Sequence, residues 1–210
     1  MIIDNVEIMS GPIIRDETAR DYDAVRKLLL LAFGEDSPGG LANALRRSGD
    51  TVPSMVAEHE GKIAGHILFS RIEAPLRALT LAPLGVRPAL QKRGIGSALI
   101  RHGLERAGKE GWDAVFVLGS PAYYRRFGFD PALAWNYDNP YDGPAFMALL
   151  LHDAAPRTGR LVFPSPFDED VREHAVRRGW LEFRVVLPVV TRYVFQINPQ
   201  EIPAPSRHCF

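Results

Sequence analysis

The sequence predicts a mixed α/β domain in which helices flank one β-sheet, and three observations support this prediction. Strand-like and helix-like patterns alternate along the chain, as expected for this fold class. A glycine-containing turn at residues 91–97 joins an apolar, strand-like run to an amphipathic helix. The 210 residues are 46% hydrophobic, which is enough for one full core.

The first elements are a short strand at Ile13-Ile14 and a helix from Ala19 to Phe33. Within this helix, apolar residues recur at helical spacing and give one buried face. Thr18 is a suitable N-cap and Gly34 a suitable stop. Gly39-Gly40 is expected to precede a second, shorter helix.

The next elements are mainly strands, because the apolar runs become short and are bounded by turn residues. One of these runs contains Pro83 and Gly85, which indicate a bulge, an edge or a close backbone approach. A helix with an apolar stripe from Ile95 to Ala107 follows the glycine turn and ends at Gly111. The predicted strands after the second helix are 55–58 and 63–71, which form a hairpin, then 79–86, 114–118 and 146–151.

The glycine turn has the composition of a phosphate-binding loop. The first amides of a helix lack intrahelical partners, and the helix dipole adds positive potential there. Gly94 and Gly96 would let a pyrophosphate approach the backbone closely, and Lys92 and Arg93 add charge. The sequence therefore predicts an anion site at residues 91–97.

Three phosphate-binding motifs compete for this turn. A P-loop requires G-x-x-x-x-G-K-[ST], and the sequence contains no such run. A dinucleotide-binding fingerprint requires a third small residue where Leu99 stands, and an acid after the next strand where Gly119 stands. The third motif, Q/R-x-x-G-x-G/A, is matched without gaps by Gln91, Gly94 and Gly96.

A second motif follows the predicted strand at 114–118. Tyr124 and Gly128-Phe129 form the pattern Y-x-x-x-G-F on a short helix. A phenol can donate its proton to a group that leaves with a negative charge. Taken alone, Tyr124 is more simply explained as a half-buried aromatic residue whose hydroxyl finds a structural partner.

Together these motifs resemble those of the GNAT N-acetyltransferases, and in detail those of the bacterial YhbS-type group, over roughly residues 12–165. The resemblance implies a mostly antiparallel sheet that splays between its fourth and fifth strands, with acetyl-CoA as co-substrate and no metal. It implies Tyr124 as the general acid beside the coenzyme sulfur. It also implies a coenzyme-binding set with main-chain contacts at Leu84 and Val86, together with Gln91, Lys92, Arg93, Gly94, Ile95, Gly96, Ser97 and Ser120.

The general base is harder to assign. An amine must lose a proton before it attacks a thioester, and many GNAT members use a glutamate on the fourth strand. That strand contains no acid here. Glu73 just upstream is the candidate that we name as base, with Glu35, Asp36 and His66 as alternatives. Removal of the proton through ordered water is a further alternative.

Composition limits the partners. Lys and Arg together number 25, as do Asp and Glu, so no overall basic field favours nucleic acid. The histidines are scattered and the one cysteine is Cys209, so neither a metal site nor an internal disulfide is indicated. No secretory signal or membrane span is recognisable, and a cytoplasmic location is expected. The expected acceptor is a small-molecule or peptide amine.

Residues 167–210 do not match the family pattern, so we expect a GNAT domain at 1–166 and a C-terminal extension of unknown role. The extension is rich in apolar and aromatic residues, which would be unusual for a disordered segment. We therefore expect it to pack on the domain or on a second protomer in a homodimer. Two alternative functions stay open: transfer of another acyl group such as succinyl, and a non-catalytic module that binds acyl-CoA.

Overall fold

The computed structural model describes residues 11–141, 143–152 and 156–167. In this part of the chain, strands and helices follow one another largely as the sequence predicts. The strands are β1 (Ile13–Asp16), β2 (Thr51–His59), β3 (Lys62–Ile72), β4 (Ala78–Val86), β5 (Ala114–Leu118), β6 (Tyr137–Asp138), β7 (Phe146–Leu150) and β8 (Gly159–Arg160). The helices are α1 (Tyr22–Phe33), α2 (Ser37–Ser48), α3 (Ile95–Lys109), α4 (Pro121–Tyr124) and α5 (Pro131–Ala134), with short 3₁₀ turns between some of them.

Six strands form the main sheet in the order β1-β2-β3-β4-β5-β7. All neighbours are antiparallel except β4 and β5, which run parallel. The pairing of β4 with β5 covers only Ala78 to Thr80 against Ala114 to Phe116. Beyond Thr80 the two strands separate, so the predicted fold class is confirmed, including the splay between the fourth and fifth strands.

The proline and the glycine of β4 each have a structural consequence. Ile67 pairs with Leu84 and Phe69 pairs with Leu81, so β4 has one more residue than β3 across this step and bulges around Pro83. Gly85 allows α1 to approach the strand, because a Cβ there would lie 2.7 Å from Leu29 Cδ2. The expected irregularity of this strand is therefore present.

Two helix starts differ from the sequence prediction. Thr18 precedes a 3₁₀ turn at Ala19–Asp21, and α1 begins only at Tyr22. The Asp21 carboxylate accepts from the Thr18 amide and hydroxyl at 2.8 and 2.9 Å, which fixes this turn. The second helix begins at Ser37, so Gly39-Gly40 lies inside it rather than before it. Proline is favourable in a first helical turn, and Pro38 supports this earlier start.

Helices cover both faces of the sheet. On one face α3 packs through Ile95, Leu99 and Ile100 against buried residues of β3, β4 and β5. On the other face α1 and α2 cover a second apolar cluster. No helix in the described part of the chain is long and apolar enough to cross a membrane. The predicted extension lies outside the described residues from position 168 onward, so its packing and the homodimer stay predictions.

Candidate active site

A cavity of about 870 Å³ lies where β4 separates from β5. Four parts of the chain line it: the end of α1, the second half of β4, the glycine turn with the start of α3, and α4 with the turn after it. The lining residues are Leu31, Ala32, Phe33, Gly34, Leu81, Leu84, Gly85, Val86, Leu90, Gln91, Lys92, Gly94, Ile95, Gly96, Ser97, Ser120, Tyr123, Tyr124 and Arg126. Ten of the twelve predicted site residues are therefore brought together, and the two that are not are Arg93 and Glu73.

The N-terminus of α3, which the sequence predicts to bind an anion, lines this cavity. Gly94 caps the helix in the left-handed conformation, with φ of 84°, which glycine adopts without strain. The Ala98 amide donates to the Gly94 carbonyl at 2.9 Å, so the preceding amides of Ile95, Gly96 and Ser97 come before the first helical hydrogen bond. These three residues face the cavity, and Lys92 adds a positive charge beside them.

The second half of β4 supplies an unpaired backbone edge. Since pairing with β5 ends at Thr80, backbone groups between Leu81 and Val86 on that side have no strand partner. One of them is satisfied locally, because Gln91 Nε2 donates to the Val86 carbonyl at 3.2 Å. This contact holds the glycine turn against the end of the strand. Leu84 and Val86 line the cavity, as the resemblance implies.

Tyr124 lies on the wall formed by α4. Its ring packs edge-to-face on Tyr123 and Phe129, with centroid distances of 5.1 and 5.7 Å. The residue is buried, and this burial raises the pKa of its hydroxyl far above the usual range for tyrosine. The phenol is therefore protonated at neutral pH and can act as a proton donor. The backbone of Ser120, which accepts from the Tyr124 amide at 3.0 Å, starts this short helix.

Nine of the lining residues were not predicted as part of the site, and two of them, Tyr123 and Arg126, carry polar groups next to the glycine turn. The hydroxyl of Tyr123 lies over Gly96, since a Cβ at that glycine would be 2.8 Å from it. Arg126 stacks on the Tyr123 ring at 4.6 Å and donates from Nε to the Tyr123 carbonyl at 2.8 Å. The three-residue spacing of Tyr123 and Arg126 on a helical turn is the one sequence signal that could have linked them.

The end of α1 lines the cavity from the face of the sheet opposite to α3, and it is apolar. It contributes Leu31, Ala32, Phe33 and Gly34, none of which carries a charge. The acids that follow in the chain do not line the cavity. Asp36 accepts from Arg26 Nε at 2.9 Å on the protein surface, and Glu35, which has interactions of its own, also lies outside the lining.

His66 is fully buried in β3 opposite Gly85 of β4, and it is not among the residues that line the cavity. Its Nε2 lies 3.1 Å from Ser54 Oγ and 3.5 Å from Glu17 Oε1, and Glu17 is paired with Arg46 at 2.5 Å. Burial lowers the pKa of His66, although the neighbouring Glu17 carboxylate opposes this shift. His66 is thus a neutral member of a buried polar network.

Glu73 lies just past the end of β3 that pairs with the start of β4, whereas the cavity borders the later part of β4. Its amide and carbonyl each bond to Val162 at 2.9 Å, and its side chain is exposed. The structure therefore does not bring Glu73 to the cavity.

In the described part of the chain, no group of three or more His, Cys, Asp or Glu side chains is placed to hold a metal ion.

A splayed sheet with a helix N-terminus and a buried tyrosine at its opening is the arrangement of an acyltransferase, and comparisons with known proteins agree. A family model described as the acetyltransferase (GNAT) family matches residues 22–129. The chain belongs to this family, which places it among the acetyltransferases.

Relatives of known sequence and structure support the same assignment. The chain is 38% identical to the uncharacterized N-acetyltransferase YjhQ of Escherichia coli K12, over 59% of this chain and 73% of the relative. It is 33% identical to the uncharacterized N-acetyltransferase YhbS of the same strain, over 57% and 74%. The crystal structure of Escherichia coli YhbS in complex with CoA has a TM-score of 0.71 at 29% identity, over 75% and 92%. A GNAT acetyltransferase from Brucella melitensis in complex with acetyl-CoA has a TM-score of 0.64 at 31% identity, over 75% and 98%.

Proposed function

We propose that this protein transfers the acetyl group of acetyl-CoA to a primary amine of a small molecule or peptide, by direct attack within a ternary complex. The observation that carries the proposal is one cavity that joins an anion-binding helix end, an unpaired strand edge and a buried tyrosine. Two solved relatives bind CoA or acetyl-CoA. The residues at the α3 end fit such a coenzyme.

The coenzyme end uses backbone groups rather than many charged side chains. The amides of Ile95, Gly96 and Ser97 would bind the pyrophosphate oxygens, with Lys92 close by. The unpaired edge of β4 from Leu84 to Val86 would hold the pantetheine arm as an added strand does. Arg93 lies outside the cavity lining and would act only through its positive charge.

The reaction then requires two proton movements. The neutral amine attacks the thioester carbonyl, a C–N bond forms, and the C–S bond breaks. Tyr124 lines the cavity, is protonated at neutral pH, and would donate its proton to the departing thiolate. The amine nitrogen loses one proton, which replaces the proton donated by Tyr124 through solvent, so a neutral amine and acetyl-CoA give an amide and free CoA. A net proton is released only where the acceptor arrives as an ammonium ion.

Ordered water is the route that we propose for the proton that leaves the amine. Among the described residues, none of those lining the cavity is a carboxylate or a histidine. Glu73 lies elsewhere and His66 is enclosed in its own network. The same observation favours one second candidate, a module that binds acyl-CoA without transferring the acyl group.

Two further features belong to the proposal. The one cysteine in the sequence suits a reducing compartment, and we propose that the protein acts in the cytoplasm. We also propose that the protein forms a homodimer, because residues 167–210 are rich in apolar side chains.

Calorimetry and coenzyme release test the function together. Acetyl-CoA and succinyl-CoA are titrated into the full chain, and free CoA is then followed over a broad panel of amines by thiol detection. We expect acetyl-CoA binding and amine-dependent CoA release. Binding without release over the whole panel would favour the non-catalytic module, preferred release from succinyl-CoA would change the acyl group, and absence of binding would overturn the proposal.

A further inference from the structure

We infer that the amine acceptor carries a single positive charge on an otherwise apolar body, so that polyamines and other multiply charged amines are poor substrates. This inference rests on the proposed function and concerns the acceptor end of the same cavity. It follows from two independent features of that end: the shape of its apolar wall and the placement of the charges around it.

The apolar wall is the end of α1. Leu31 lines the cavity and is nevertheless 59% exposed, so a large apolar side chain faces the opening with no protein covering most of it. Ala32 and Phe33 continue this surface inward. A ligand with an apolar body would remove this surface from water, which is favourable in proportion to the area buried. A strongly hydrated ligand would gain nothing from it.

The charges around the cavity disfavour a second ammonium group. In the described part of the chain, Lys92 and Arg126 are the charged residues that line it, and both are positive. They belong to the glycine turn and to the turn after α4, which is the coenzyme end. Asp36 follows the apolar wall closely in the sequence, but it is paired with Arg26 and does not line the cavity. A second ammonium that enters the cavity would therefore be desolvated without a carboxylate partner among the described lining residues, at a cost that discriminates against it.

The apolar wall also bears on how the amine becomes nucleophilic. Removal of an ammonium group from water disfavours its charged form and lowers its pKa. An amine held against this apolar wall would thus lose its proton more readily than in bulk water. A lowered amine pKa reduces the need for a general base. We expect it only for an amine whose remaining body is apolar and can pack against this wall.

The test compares two amines of equal size on the full chain. Heptylamine and hexamethylenediamine have the same number of non-hydrogen atoms, and a methyl group in the first replaces the second amino group of the other. We expect kcat/KM to be at least about tenfold higher for heptylamine, after allowance for the two reactive ends of the diamine. Product masses confirm that acetylation accompanies the release of CoA.

A pair of neighbouring leucines provides the matched variants. Leu31→Glu places a carboxylate at the acceptor end and should lower the preference for heptylamine by about tenfold or more. Leu30→Glu is the control, because Leu30 is 44% exposed on the same helix but does not line the cavity. Both sites are exposed, so both variants should fold, and Leu30→Glu should keep the wild-type ratio.

Each outcome separates the inference from the proposed function. Equal or better use of the diamine by the wild-type protein, or an unchanged ratio in Leu31→Glu, would overturn the inference while N-acetyltransfer itself stands. Acetylation of other amines with neither of the two probes used would do the same. Acetyl-CoA binding with no acetylation of any amine would overturn the proposed function, and the inference with it.

Discussion

Replacement of Gly96 by valine tests the anion-binding end of the cavity most directly. A Cβ at this position would lie 2.8 Å from the Tyr123 hydroxyl and 3.4 Å from Val86 Cγ2. The first of these contacts is with the far end of a half-buried side chain that can turn aside. Gly96 is already helical, and valine is slightly better than glycine inside a helix, by roughly 0.4 kcal/mol. The folded state should therefore tolerate the change.

Coenzyme binding should not tolerate it, because the valine methyl groups would stand where a pyrophosphate must approach the first amides of α3. A hydrogen bond to a charged group contributes about 1.5–3 kcal/mol. Loss of two such bonds amounts to about 3–6 kcal/mol, which raises Kd for acetyl-CoA by at least about 100-fold. This figure counts only the backbone amides, and the Lys92 side chain can still reach an anion nearby.

Isothermal titration calorimetry with acetyl-CoA measures this effect, and thermal unfolding checks the fold. Gly108→Val is the matched control, because Gly108 lies in the last turn of α3 and a Cβ there would meet no other atom within 4 Å. We expect wild-type affinity in Gly108→Val and lost affinity in Gly96→Val, with similar unfolding temperatures. Wild-type-like affinity in Gly96→Val would refute the assignment of the α3 N-terminus as the pyrophosphate site.

Three further predictions concern the tyrosine, the distant acid and the buried histidine. Tyr124→Phe should lower kcat by about 10- to 1000-fold with nearly unchanged affinity for acetyl-CoA, whereas a large loss in Tyr123→Phe alone would move the acid by one residue. Glu73→Gln should keep kcat within about twofold, because Glu73 is exposed outside the cavity; a large loss would support its predicted role as base. Burial holds the pKa of His66 below 6.5, so the unfolded chain binds more protons below that pH. The free energy of unfolding should then decrease as the pH falls below this value, by at most about 1.4 kcal/mol per pH unit, and an unchanged slope in His66→Gln would contradict this origin.

The lining residues at the start of α3 could be predicted from the sequence because they are neighbours in the chain. Gln91, Gly94 and Gly96 lie within one turn, and their geometry follows from local backbone preferences. The position of Tyr124 also follows from a short helix directly after a strand. Local chemistry of this kind needs little information from the rest of the fold.

The base could not be predicted in the same way. Glu73 is only five residues before the start of β4, and this nearness in sequence made it a candidate. The antiparallel pairing of β3 and β4 puts Ile72 opposite Ala78, so Glu73 follows at the end where β4 still pairs with β5, and there it bridges to Val162. The direction of a strand relative to its neighbours thus decides which end of the strand borders the cavity. The residues around Glu73 do not predict that direction.

The sequence by itself determined the elements, the α/β class and the residues of the glycine turn, because periodicity, capping and glycine conformation act over a few residues. Only the tertiary structure decided where β4 separates from β5. It also decided that Leu31 and Arg126 line the same cavity. The separation follows from a pairing that stops at Thr80, and the approach of α1 follows from the missing side chain at Gly85. Both depend on contacts between parts of the chain that are distant in sequence, since packing of the whole sheet and its helices fixes them.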